Sequence, residues 1–372
     1  MTTIFISIPW FLPAYRAGGP VQSIANMINQ FDTNISYKIF CGNVDLNGEG
    51  IGNIETGKWV TYNEHTKVWY ADPLNRTATL QRLVKESKPD VLFIVGIYSW
   101  VFNIIPILTC RVPRKIISVR GMLHPGALSQ KRVKKNIFLF LFKLLNIQHK
   151  VIFHATDENE KRYIKKHMGN EAVVYIAGNF PRILLPLPGP EKNVNHLSLI
   201  SIALISPMKN YLLVLQSLRR CTAKIEYHIC GPVKDSNYWK LCEQEIKLLP
   251  ENIRVVYHGE VEPQKLPGFM AKGHVFILPS KSENFGHAIY EAFTAEKPVI
   301  TSLFTPWNQL ASNQAGMNVE LDVQSITSAI QFFAAMSQSD YNAWCKAARE
   351  YALNALDVEV IKREYSHLFF DK

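Results

Sequence analysis

The sequence has no paired cysteines. Its six cysteines, at 41, 110, 221, 230, 242 and 345, are scattered, with no CxxC pair and no metal-ligand spacing. They read as buried thiols of a reducing cytosol and give no reason to expect a disulfide scaffold or a metal centre. Long apolar runs are missing as well: no uncharged run is apolar throughout the roughly 18–20 residues that a membrane-spanning helix needs. The opening MTTIFISIPWF lacks a basic lead and its apolar run is short, so it predicts a first strand rather than a signal peptide. There is no solenoid repeat, no low-complexity tract and no nucleic-acid recognition motif. The expectation is a cytoplasmic protein without a nucleic-acid partner.

What is present is apolar material for more than one core. The chain has 372 residues, 47% hydrophobic and 19% charged, and that length predicts two domains. The stretch GNFPRILLPLPGPEKN at 178–193 carries four prolines and two glycines and marks a linker. The expected division is a first domain over 1–180, a linker at 181–193, a second domain over 194–355 and a terminal helix at 356–372. Short apolar runs predict strands at 3–8, 37–41, 67–71, 91–95, 115–119, 151–155 and 173–176, and in the second half at 196–204, 225–230, 253–257, 274–278, 298–302 and 316–321. Their alternation with helical stretches such as 77–87, 158–167 and 211–218 argues for parallel α/β domains. The Gly- and Asn-rich stretch 43–57 reads as a mobile surface loop.

Charge is unevenly placed. The net charge is +10, yet the segment from Arg111 to Lys166 alone holds fourteen Lys/Arg against three Asp/Glu, leaving 27 basic against 28 acidic residues elsewhere. A surface of that kind seeks an anionic partner. Within it, KRVKKNIFLFLFKLLNIQHK at 131–150 runs from a basic cluster into an almost wholly apolar stretch, 137–147. Such a helix can lie in a membrane interface, or it can be buried in its own domain with a solvated basic start.

The stretch HVFILPSKSENFGHAIYEAFTAEKPVITS at 274–302 reads as strand, loop, helix and strand. Ala288, Ile289, Ala292, Phe293 and Ala295 fall at helical spacing. Glu283 precedes this helix and Glu291 lies within it, eight residues on, with Asn284-Phe285-Gly286 opening it. Backbone N–H groups at a helix start can hold an anion while neighbouring carboxylates grip hydroxyls. A nucleotide sugar offers both groups on one molecule.

Glu283 to Glu291 matches the Glu-x7-Glu signature of retaining glycosyltransferases of family 4, and ENFGHAIYEAF with the later TPWNQL at 305–310 resembles that family's donor-binding region. The resemblance implies a GT-B fold: two Rossmann-like domains facing across a cleft, with the last helix crossing back to the first. It implies that Glu283 faces the donor sugar and Glu291 the ribose. After the first strand, Gly18-Gly19 and Pro20 open a helix. On the residues alone this is a tight turn or a diphosphate site; the resemblance favours the latter. Arg120 falls where many members place a His near the sugar, so Arg120 and His124, in a loop after a strand, are expected at phosphate or acceptor. ISPMKN at 205–210 supplies Lys209, implied to hold the donor diphosphate, and Gly231 follows another strand. Where the family usually has an Arg before that lysine, this chain has Leu204, and Arg16 or Arg120 could supply the missing charge from across the cleft.

The expected reaction is transfer of a sugar from a UDP- or GDP-sugar to a hydroxyl of a glycan, lipid-linked and part of surface polysaccharide synthesis, with retention of configuration. Lys209, Glu283 and Arg120 would act on the reacting groups. Arg16, Gly18, Gly19, His124, Gly231, Asn284, Phe285, Gly286 and Glu291 would bind substrate. No cofactor or metal is expected, since Lys and helix amides replace it. The chain would sit in the cytoplasm, peripheral on an anionic inner membrane face. Alternative readings are a nucleotide-sugar epimerase or a phosphorylase on the same fold, and a catalytically silent binding subunit, the last motivated by Leu204.

Overall fold

Short apolar runs buried on both faces alternate with amphipathic helices along the whole chain, and this pattern folds into two parallel-sheet units. The computed structural model describes residues 2–32, 34–46, 48–129 and 132–371. One unit comprises Met1–Phe180 with Val358–Lys372, the other Pro181–Asp357.

The first unit holds strands β1 (Thr2–Ser7), β2 (Ile35–Gly42), β3 (Trp59–Asn63), β4 (Thr66–Ala71), β5 (Val91–Val95), β6 (Arg114–Ser118), β7 (Ile152–Ala155) and β8 (Val174–Ile176). Its helices are α1 (Gly19–Gln30), α2 (Arg76–Ser87), α3 (Ile105–Thr109), α4 (Pro125–Ser129), α5 (Arg132–Leu144) and α6 (Glu158–Met168). The sheet order is β3-β4-β2-β1-β5-β6-β7-β8. Every pairing is parallel except the β3–β4 hairpin. Alternate residues of a strand serve opposite faces. Phe5, Leu92 and Ile94 enter one core with Leu83 and Phe142, while Ile4, Ile6 and Phe93 enter another with Ile24 and Ile28 of α1.

The second unit holds β9 (His196–Ile202), β10 (Lys224–Cys230), β11 (Ile253–Tyr257), β12 (Val275–Leu278), β13 (Val299–Ser302) and β14 (Gly316–Val319). Between and after them come α7 (Tyr211–Leu218), α8 (Ser236–Ile246), α9 (Leu266–Met270), α10 (His287–Thr294), α11 (Val323–Ala334) and α12 (Gln338–Ala355). The order β11-β10-β9-β12-β13-β14, parallel throughout, reverses direction of winding at β9. Ligands of open α/β sheets bind beyond the carboxyl ends of strands at such a reversal.

Helix α13 (Val358–Phe370) returns to the first unit. Ile361, Tyr365, Leu368 and Phe369 are buried there with Phe31 and Phe93. Each buried side chain of this size contributes roughly 1.5–3 kcal/mol relative to exposure.

The strand expected at 196–204 ends at Ile202, and β3, a half-buried edge strand, was not expected. The proline-rich 181–193 packs with the second unit: Leu184 is buried and its N–H donates to Thr294 Oγ1 at 3.0 Å. Helix α5 is neither wholly buried nor wholly free. Leu139 and Phe142 enter the core, whereas Val133, Ile137, Phe140, Leu141 and Leu144 are exposed. Of the basic cluster at its start, Lys131 lies outside the described residues, and Lys135 turns inward, donating to the Ala127 carbonyl over the Tyr98 ring.

Candidate functional site

Two loops leave the carboxyl ends of neighbouring strands β9 and β12 and are joined by the Lys281 N–H, which donates to the Met208 carbonyl at 2.8 Å. The first carries Lys209 and the second Glu283. Lys209 Nζ donates to Glu283 Oε1 at 2.5 Å, and the Ser280 hydroxyl donates to the same oxygen at 2.7 Å. Both side chains are mostly shielded, at 20% and 10% exposure. Both bonds fall on Oε1, and a carboxylate accepts at either oxygen.

The turn between Glu283 and α10 is built by the segment after β13. Trp307 Nε1–H donates to the Phe285 carbonyl at 2.6 Å, with the two rings edge to face at 5.5 Å. The Glu283 N–H donates to the Phe304 carbonyl at 3.2 Å. Asn318 fixes the segment in turn, donating to the Trp307 carbonyl and accepting from the Leu310 N–H. TPWNQL is therefore scaffolding for Asn284-Phe285-Gly286. Gly286 has φ +76, in the left-handed region, and a Cβ there would stand 3.1 Å from Ile289 Cδ1. The glycine lets α10 start at His287.

Glu291 lies one turn into α10 and is 5% exposed. Burial pushes its carboxyl up to about 7, against the opposing pull of the Arg182 guanidinium, whose Nη1 is 3.9 Å from Oε1. Arg182 also donates to the Pro263 carbonyl at 2.9 Å. Neither Arg182 nor Ser280 was a candidate from sequence. Ser280 directly follows a strand end, a usable signal; Arg182 sits among prolines and gives none.

Gly231, after β10, has φ +140, and a Cβ there would be 2.0 Å from the Ala203 carbonyl oxygen. Its role in the structure is to let the ends of β9 and β10 meet. Leu204, in the loop after β9, is half-buried.

The candidates of the first unit have partners of their own. Gly18, with φ +73 and ψ −132, precedes α1, and Gly19 faces open space, so the loop after β1 can take a group against its backbone. Arg16 Nη1 donates to Glu49 at 2.9 Å and Arg16 Nε stands 3.9 Å from Asp45. Arg120, itself at φ +52, donates to Asn179 Oδ1 and, at 3.2 Å, to the Tyr365 hydroxyl of α13. His124 packs edge-on against Tyr163 and accepts from the Gly126 N–H; burial lowers its pKa, opposed by Asp157.

Residues 188–350 match the family model for glycosyl transferases group 1. No curated protein sequence matches the chain. Among solved structures, the sucrose-phosphate synthase of Thermosynechococcus elongatus superposes with a TM-score of 0.71 at 14% identity, covering 99% of this chain and 98% of that one. Anabaena HepE in complex with UDP and glucose gives 0.70 at 15% identity, covering 99% of each chain. WaaG, a glycosyltransferase involved in lipopolysaccharide biosynthesis, gives 0.67 at 11% identity over 100% of both. The chain has the GT-B fold.

Proposed function

We propose that this protein is a retaining glycosyltransferase that moves a sugar from a nucleoside-diphosphate sugar to a glycan hydroxyl. One observation carries the reading: Lys209 and Glu283 meet at the winding reversal of the second sheet, inside the segment that matches glycosyl transferases group 1. Glu283 Oε2 accepts a hydroxyl of the donor sugar. Lys209 and the amides at the start of α10 stabilise the leaving diphosphate, whose oxygen takes the acceptor proton. Glu291 holds the ribose hydroxyls. Arg120 or Arg16 adds positive charge, and His124 and the Gly18-Gly19 loop contact phosphate or acceptor. The UDP and glucose held by HepE support a uridine donor over a guanosine one. WaaG's part in lipopolysaccharide synthesis supports a lipid-linked glycan acceptor, met at an anionic inner membrane face in surface polysaccharide synthesis. The chemistry takes no metal in this scheme.

The test is incubation with UDP- and GDP-sugars and glycan acceptors, following nucleotide release and product anomer by NMR, with and without EDTA. Release of nucleotide with the donor's anomeric configuration kept supports the proposal. An inverted product overturns the retaining mechanism, and EDTA inhibition overturns metal independence. Leu204, a neutral side chain in the same loop as Lys209, favours a second reading, a nucleotide-sugar-binding subunit. Donor binding without any turnover would establish it.

A further inference from the structure

Helix α5 carries two apolar stripes where a packed surface helix needs one. Leu139 and Phe142 are buried and Phe138 packs on Tyr98, which satisfies the inward face. The second stripe points away from the core: Val133 is 72% exposed, Ile137 55%, Phe140 66%, Leu141 44% and Leu144 65%. Their spacing, i, i+4, i+7, i+8 and i+11, places all five on one side of the helix. Exposed Arg132 and Lys143 border that side along one edge and Lys134 along the other. No Asp or Glu occurs anywhere between Asp90 and Asp157. Single exposed apolar residues are ordinary; five in register within a basic border are not.

We infer that the outer face of α5 docks the first unit on an anionic lipid surface, its apolar stripe entering the interface and Arg132, Lys134 and Lys143 contacting headgroups. Charge decides between occupants. A second copy of the chain would bring the same basic border against itself, whereas an anionic bilayer matches both the stripe and its border. The functional meaning of this docking rests on the lipid-linked acceptor proposed above; the docking itself needs no turnover.

The test uses the full chain with vesicles of phosphatidylcholine alone and of phosphatidylcholine with phosphatidylglycerol, in co-sedimentation at low and high salt. The wild type should partition about ten-fold more strongly onto anionic vesicles, and less in high salt. The I137S/F140S/L144S variant, altered only at exposed positions, should lose that partition by about ten-fold or more. In a Phe140→Trp variant, the emission gained over that of the seven native tryptophans should shift blue and be quenched by brominated lipid. Equal partition of wild type and the triple-serine variant overturns the proposal, as does an unshifted indole. A dimer in solution that the serine changes abolish also overturns it, in favour of self-association. Nucleotide release with a soluble acceptor, measured on the same preparations, separates the two readings: activity without vesicle binding sinks only the docking.

Discussion

Arg182 and Glu291 face each other across 3.9 Å inside the second unit, a cation from the proline-rich stretch set against a buried carboxyl on α10. Burial raises that carboxyl from 4.5 to about 7. A carboxyl raised on folding favours the folded state most fully below its ordinary pKa, and that contribution is lost as pH rises through about 7. In the proposed scheme the ionised form accepts the ribose hydroxyls, so binding should behave oppositely. Affinity for UDP-glucose should rise roughly ten-fold from pH 6 to pH 8, with proton release on binding near pH 6.5, measured by calorimetry in two buffers. Glu291→Gln should flatten the profile, and Arg182→Leu should move its midpoint upward. A wild-type affinity independent of pH would remove Glu291 from the ribose.

In the proposed scheme Lys209 and Glu283 divide the chemistry. Losing one preorganised donor to a developing anion costs roughly 10²–10³ in kcat, so Lys209→Met should lower kcat by that factor. Glu283→Ala should lower turnover while changing UDP affinity little, because its Oε2 is assigned to the sugar and not the nucleotide. Steady-state kinetics with calorimetry on UDP separates the two effects. A Glu283→Ala loss confined to UDP binding contradicts the assignment.

Arg120 is held by Asn179 and Tyr365, so Arg120→Ala should destabilise the first unit by about 1.5–3 kcal/mol through lost charge-assisted bonds. Denaturant unfolding reads this directly. If Arg120 also supplies charge to the reaction, kcat should fall even where the protein is fully folded. If the neutral Leu204 limits the reaction instead, Leu204→Arg should raise kcat. Full activity in the Arg16→Ala, Arg120→Ala double variant would exclude both cations.

Two glycines should respond in opposite ways. Gly231→Ala places a Cβ on the Ala203 carbonyl and should cost more than about 3 kcal/mol or prevent folding. Gly19→Ala meets nothing within 4 Å, so the melting temperature should stay put. If the loop after β1 takes the donor diphosphate, affinity for the nucleotide sugar should nevertheless fall. An unchanged affinity makes Gly19 an ordinary turn residue.

The parallel strands were legible because both faces of each are covered, which writes them as near-continuous apolar runs such as VLFIV at 91–95. β3 was passed over although Trp59, Val60, Thr61 and Tyr62 are all strand formers, because a half-buried antiparallel edge strand lacks the near-continuous apolar run of its neighbours. Periodicity disclosed that α5 was apolar but not that its apolar residues divide between two faces; only packing assigns Leu139 inward and Phe140 outward. In the candidate site, Glu283 and Gly286 stood out from type and spacing, and Lys209 from the family resemblance. Arg182 was not, because its meaning comes from a fold that brings residues 182 and 291 together, and no local pattern encodes that.

The return of α13 to the first unit has a consequence for biosynthesis. Residues up to Phe180 leave the ribosome before Pro181–Asp357, and domains generally begin folding as they emerge. Here, however, Ile361, Tyr365, Leu368 and Phe369 fill the core shared by α1, β1 and β5, and the whole of Pro181–Asp357 is translated in between. The unit that starts first must wait with an apolar face uncovered until Val358–Phe370 has been made. A nascent chain stalled before residue 358 should therefore present a finished second unit beside an unfinished first one, and it is the first that chaperones should hold.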